Sequence, residues 1–408
     1  MIPLKLNYNY TDIFRTPRLA LSGKKILFLI KGNLIGYTAY FIFSLISLLS
    51  TGMSTQEIIS KYGLYPCLFG HQAEWYSWLF YFFGIFIWFF ALMLSLTGVC
   101  RIFLKQLKGN DFFSGKDASK YVSKHRHAVV LTPITILLII IFFLLLASLF
   151  ALVGRIPVIG KLTLAIFYIF YFLGSVFTIL SAFVLFTSLL FTPSIVGLYE
   201  EDTMGSVFQT YSITFSQTWR ILFYNIILAI LVFIGIEIYS WVCLNSVGLI
   251  GYIFGQNVFM GDQFSIIHNH SLSIVFPSVI VDTLVYYKTL ILEKINLNSG
   301  IPILFSPSTN FTDLKELSLI ETTSSILLSF VYFAIALSVF SYGLAMLAVG
   351  QSLMFVTFKK LSDDDDLIFR GDEDDDTDDL KLQNTFELVS KTLPQDNLYD
   401  DDDDNEEE

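Results

Sequence analysis

Six separate stretches of this 408-residue chain are apolar over lengths that a soluble core element does not need. About 20 mainly apolar residues suffice to cross a bilayer's hydrocarbon core as a helix. The runs at 32–51, 75–99, 128–153, 163–191, 221–243 and 323–358 meet that requirement. Inside hydrocarbon a backbone N–H or C=O finds no water, so a crossing segment satisfies its own hydrogen bonds by coiling into a helix. The fold class that follows is all-α, a polytopic transmembrane bundle of about six spans. Trp75, Trp78 and Trp88 in the second run fit the aromatic belts of a membrane interface.

Charge divides the chain into two parts. The formal net charge is −11, yet residues 359–408 hold 21 of the 36 acidic residues and 5 of the 25 Lys and Arg. The tail therefore carries −16 and everything before it +5. A segment so charged and so poor in apolar residues cannot bury enough surface to fold alone, so 359–408 reads as a disordered acidic tail. Its plainest role is a solubilising overhang; its sharper role is a docking arm for a basic protein surface.

The membrane part carries its densest positive charge between spans two and three. Arg101, Lys105, Lys108, Lys116, Lys120, Lys124 and Arg126 outnumber Asp111 and Asp117 there. The positive-inside tendency puts this segment, and with an even span count both termini, in the cytoplasm. The 101–127 loop is also a candidate contact for anionic lipid headgroups, each Lys or Arg contributing about 1 kcal/mol near such a surface.

Three segments are too polar to cross and too apolar to float free. Residues 1–31 contain Thr16-Pro17, a favourable helix start. Residues 114–126 open on Ser114 with Asp117 three positions later, a capping signal. From Met204 onward, Val207, Phe208, Tyr211, Phe215 and Trp219 recur at helical spacing, with Ser206, Gln209, Thr210, Ser212 and Ser216 filling the other face. Glu200, Glu201 and Asp202 precede that helix, where its dipole favours negative charge. Each reads as an interfacial elbow helix on the cytoplasmic side, leading into a span out and a span back. Trp219 and Arg220 are candidate interface anchors.

The stretch 272–292 is long enough to span but carries Pro277, Asp282 and Lys288. Charges near the bilayer centre cost about 2.5–3.5 kcal/mol each on insertion scales. It reads as re-entrant or as an additional span, so a count of seven or eight stays open beside six. Asp282 and Lys288 are candidate intramembrane functional residues, as is Glu237, whose neighbours in span five are apolar.

Several short pieces resemble an uncharacterised bacterial family of multi-pass inner-membrane proteins. They are DIFRTPRLALSGKKI (12–26), GVCRIFLKQLKGNDFFSGKDASKYVSKHR (98–126), GRIPVIGK (154–161), GSVFQTYSITFSQTWRILFY (205–224) and the acidic DDDDLIFRGDEDD after the last span. The core of the 205–224 piece is also similar to the membrane domain attached to some glycerophosphodiester phosphodiesterases. The resemblance implies a bacterial inner-membrane location and a last span that returns to the cytoplasm. It supplies no activity.

Catalytic signals are sparse. His268 and His270 lie two apart, a spacing that aligns side chains only on a strand, and with Asp262 nearby they read as a solvent-exposed loop rather than a metal site. His125 and His127 belong to the basic segment. Cys67, Cys100 and Cys243 lack metal-ligand spacing, though Cys67 and Cys243 could share the outer side. No phosphate-cradling glycine loop, nucleophile elbow or zinc helix motif occurs. The reading is a non-enzymatic integral membrane protein without a cofactor, serving membrane organisation or assembly with partners. It has no nucleic-acid signature. The competing reading is a transporter or channel-like protein for a lipid or small solute, with Glu237 on its path.

Overall fold

The computed structural model describes residues 6–157, 159–276 and 318–371. It is 83% helix, with no strand among the described residues. A 3₁₀ turn (Tyr10–Arg15) leads into α1 (Thr16–Ala20) and α2 (Gly23–Leu49), followed by α3 (Thr55–Tyr62) and α4 (Trp75–Leu107). Next come α5 (Gly115–Val153), α6 (Ile159–Tyr199), α7 (Thr203–Ser216) and α8 (Thr218–Phe254). The described chain closes with α9 (Asp262–Val275) and α10 (Leu319–Asp363). Six of these, α2, α4, α5, α6, α8 and α10, are long and apolar enough to cross a membrane. The protein is an integral membrane protein of the all-α, multi-pass kind.

The spanning helices pair as three hairpins, α2 with α4, α5 with α6 and α8 with α10. Hydrophobicity cannot drive apolar helices together inside lipid, so close backbone approach does much of that work. Gly197 of α6 shows it: a Cβ there would lie 2.8 Å from the Cβ of Cys100 and 2.9 Å from the Thr97 carbonyl oxygen. Gly36 plays the same part between α2 and α4, where a Cβ would meet Trp88 at 2.6 Å.

Every spanning helix outruns the bilayer. At 1.5 Å per residue, the 45 residues of α10 extend about 68 Å. The surplus converges at the basic end, where one core joins the N-terminal turn to α2, α4, α6, α7, α8 and α10. The last turns of α10 form its axis, with Ala345, Met346, Val349, Leu353, Phe355 and Phe358 all buried.

Several expectations change here. The segment 114–126 is no separate elbow; α5 runs unbroken from Gly115 to Val153. The Ser114–Asp117 capping box starts it, and no breaker follows until Pro133. The loop after span one contains α3, begun by reciprocal hydrogen bonds between Ser54 and Glu57 (2.9 and 3.3 Å). The supposed loop at 262–270 is helical and forms most of α9. The tail also starts later than expected: α10 continues to Asp363, and Leu367 and Ile368 are buried in the core. Residues 372–408 lie outside the described residues, as do 277–292 of the proposed re-entrant stretch.

The elbow at 203–218 is a distinct helix, α7, parted from α8 at Gln217. It crosses α6 at the level of Ser181 to Thr187. Tyr211 donates to the Ser181 hydroxyl (2.9 Å), Thr214 and Thr187 hydroxyls lie 2.7 Å apart, and Val207 packs with Val184 and Ile136. The anticipated two faces are redistributed. Ser206, Thr210 and Thr214 are buried, while Phe208 (66%) and Trp219 (82%) are largely exposed. Thr210 and Thr214 each donate to the carbonyl four residues back, at 2.8 and 2.6 Å, so their hydroxyls need no water.

Candidate functional site

The feature least expected of an apolar bundle is the charge packed into its basic end. Arg101, on α4, is 1% exposed and pairs with Glu200 at 2.5 Å. Its guanidinium also lies 4.4 Å from the Tyr121 ring of α5, and the Tyr121 hydroxyl donates to the Val196 carbonyl of α6 (2.6 Å). Glu200 reaches Arg101 because its backbone is left-handed, φ 60°, which ends α6 and turns the side chain inward. Of the three acids expected to start α7, Asp202 alone is its N-cap, accepting from the Gly205 N–H at 2.7 Å.

Lys25 opens α2 and is 1% exposed. It donates to the Leu19 carbonyl and the Gln106 side chain, both at 2.6 Å, and lies over the Phe103 ring. Arg101 and Lys105 were expected in a loop but belong to the closing turns of α4 and are buried. A 101–127 surface for lipid headgroups therefore reduces to Lys116, Lys120, Lys124 and Arg126, which are exposed.

A second layer locks the chain beyond α10 onto this cluster. Lys359 and Arg370 lie over the Tyr199 ring, at 4.7 and 4.3 Å. Lys108 donates to the Arg370 carbonyl (2.6 Å), and Lys359 pairs with Asp363 (2.5 Å). The Tyr8 hydroxyl donates to the Asp366 carboxylate, and burial, then that carboxylate, pushes the phenol's pKa above its ordinary value. A small cavity of about 40 Å³, room for one or two waters, lies among Lys108, Tyr199, Glu200 and Arg370. Asp12 anchors the N-terminal side of the cluster, accepting from the Asn7 N–H at 2.8 Å and pairing with Arg15 at 3.5 Å. Charged groups removed from water need such partners to be tolerated at all.

The described residues that the sequence singled out lie elsewhere. Glu237 is half-buried on α8, in the part of that helix that packs on α10 through Tyr239 and Tyr342. Arg220 is exposed and donates to Gln217 (2.7 Å), beside the outward-facing Trp219. Asp282 and Lys288 lie outside the described residues. His268 and His270 point apart on α9; the His268 ring contacts the Tyr332 hydroxyl (2.6 Å), and burial lowers its pKa from the usual 6.5. Among the described residues no three His, Cys, Asp or Glu side chains converge on a metal-sized point. All three cysteines are free.

The buried cations gave no sequence signal, because Arg101, Lys105 and Lys25 sit among other bases that are exposed. The available clue was the apolar run continuing through VCRIFLKQL, which leaves a helix no wet face. Compared with known proteins, the chain matches no family model, no curated protein and no solved structure.

Proposed function

We propose that this is a non-enzymatic protein of the bacterial inner membrane that organises or assembles partners, using its acidic C-terminal stretch as the docking arm. The observation that carries this reading is the clamp at the root of that stretch. Leu367 and Ile368 are buried, Asp366 is held by Tyr8, and Arg370 is held by Tyr199 and Lys108. The 17 acids and two lysines of residues 372–408 thus begin at a fixed point on the basic end. A force or a partner acting on them acts through the buried core at the basic end, a hub built from residues of all three hairpins. The family resemblance of the short motifs supports the bacterial membrane, and the exposed bases of α5 support a cytoplasmic placement beside anionic headgroups.

The test compares the full chain with one ended after Gly371, both purified from membranes. A docking role predicts a stoichiometric basic partner that leaves with the truncation and with high salt. The truncated protein should keep its thermal midpoint, since the clamp is intact. An unchanged set of co-purifying proteins would sink the reading.

A further inference from the structure

The outer half of the α5–α6 hairpin is a different surface. Away from the hub these two helices pack on each other and separate enough to leave a groove of about 1070 Å³ along the pair. Phe150, Phe167 and Tyr171 line it, the Phe150 and Tyr171 rings packing against each other with centroids 5.5 Å apart. Gly174 lies on its floor, where an added Cβ would meet nothing within 4 Å. Close helix packing therefore does not explain this glycine, in contrast to Gly197.

Arg155 and Lys161 stand at the turn end of the groove and line its mouth. Both are exposed, and no Asp or Glu occurs anywhere between Asp117 and Glu200. The hairpin thus presents two cations beside an apolar trough and supplies no acid to balance them. The eleven residues from Phe143 to Val153, where α5 ends, cover about 16 Å of helix, close to the hydrocarbon depth of one leaflet, roughly 15 Å. Long basic side chains at a span's end reach to the interface, where lipid phosphates are the abundant anions.

We infer that this groove is a binding site for one anionic phospholipid, its acyl chain lying between α5 and α6 and its phosphate between Arg155 and Lys161. A zwitterionic lipid fills the same trough but leaves the two cations uncompensated. The inference does not depend on the docking arm, whose root at Leu367 to Arg370 is packed at the opposite end of the hairpin.

The full chain, reconstituted in nanodiscs of phosphatidylglycerol and phosphatidylethanolamine, is released and weighed intact by native mass spectrometry. The wild type should retain one phosphatidylglycerol in preference to phosphatidylethanolamine. The double variant Arg155→Gln/Lys161→Gln should lose about 30-fold of that preference while still holding lipid, two headgroup contacts at about 1 kcal/mol each. Gly174→Leu, which fills open space, should keep the thermal midpoint and lose the retained lipid of either kind. Equal retention of both lipids by the wild type, or undiminished lipid on the Gly174→Leu protein, overturns the site. So does a wild-type dimer that Gly174→Leu converts to monomer without change in lipid, because the groove's occupant is then a second copy.

Discussion

Arg101 and Glu200 show how much a single buried pair depends on its context. Removing one partner of a buried ion pair leaves the other facing a desolvation penalty, typically about 3–5 kcal/mol. The Tyr121 ring beneath Arg101 offsets part of this, so Glu200→Ala should cost near the lower end, about 3 kcal/mol. Denaturation in detergent should show a clear fall in thermal midpoint, and Glu201→Ala, at the partly exposed neighbour outside the pair, should show almost none. Equal effects from the two substitutions would mean that the pair contributes little. Gly197 makes a complementary point at the same scale, since its missing side chain is what lets α6 approach α4.

Among the elements, α9 carries the clearest pH dependence. His268 packs against Tyr332 of α10 and Phe264 of its own helix, and burial disfavours its charged form. The folded state therefore binds this proton less readily than the unfolded chain, whose histidine titrates near 6.5. Above 6.5 both states are neutral at this residue and it has no effect. As pH falls below 6.5 the unfolded state gains protons first, so the α9–α10 contact weakens on acidification. Thermal midpoints from pH 8 to 5.5 should fall at the acid end, and His268→Gln should shallow that fall. A slope identical in both proteins would assign the effect to other groups. At this scale α7 also differs from its amphipathic pattern, because buried hydroxyls bonded back to their own helix behave as packing surface.

For the molecule as a whole, the hub sets one end apart from the other, and the proposed orientation puts it in the cytoplasm. Single cysteines at Asn110→Cys and Leu380→Cys, introduced after replacing the three native ones, test this directly. Neither should react with a membrane-impermeant thiol reagent added to intact cells, and both should react once the membrane is opened. Labelling of either in intact cells reverses the orientation.

Sequence alone determined that the chain is helical and crosses a membrane about six times, because run length and hydrogen-bond satisfaction in hydrocarbon leave little choice. It also located α7 and the cap at Ser114, which are local signals, and placed three acids before α7 without telling which one caps it. Tertiary structure alone decided which bases are interior, that the acidic stretch is clamped at Leu367 and Ile368, and that α5 and α6 part into a groove. The physical reason lies in the lipid: residues facing it and residues facing another helix are equally apolar, so periodicity carries no record of which helix meets which. Burying Lys25 or Arg101 depends on carbonyls, rings and a carboxylate up to 99 positions away in sequence, brought near only when the hairpins converge.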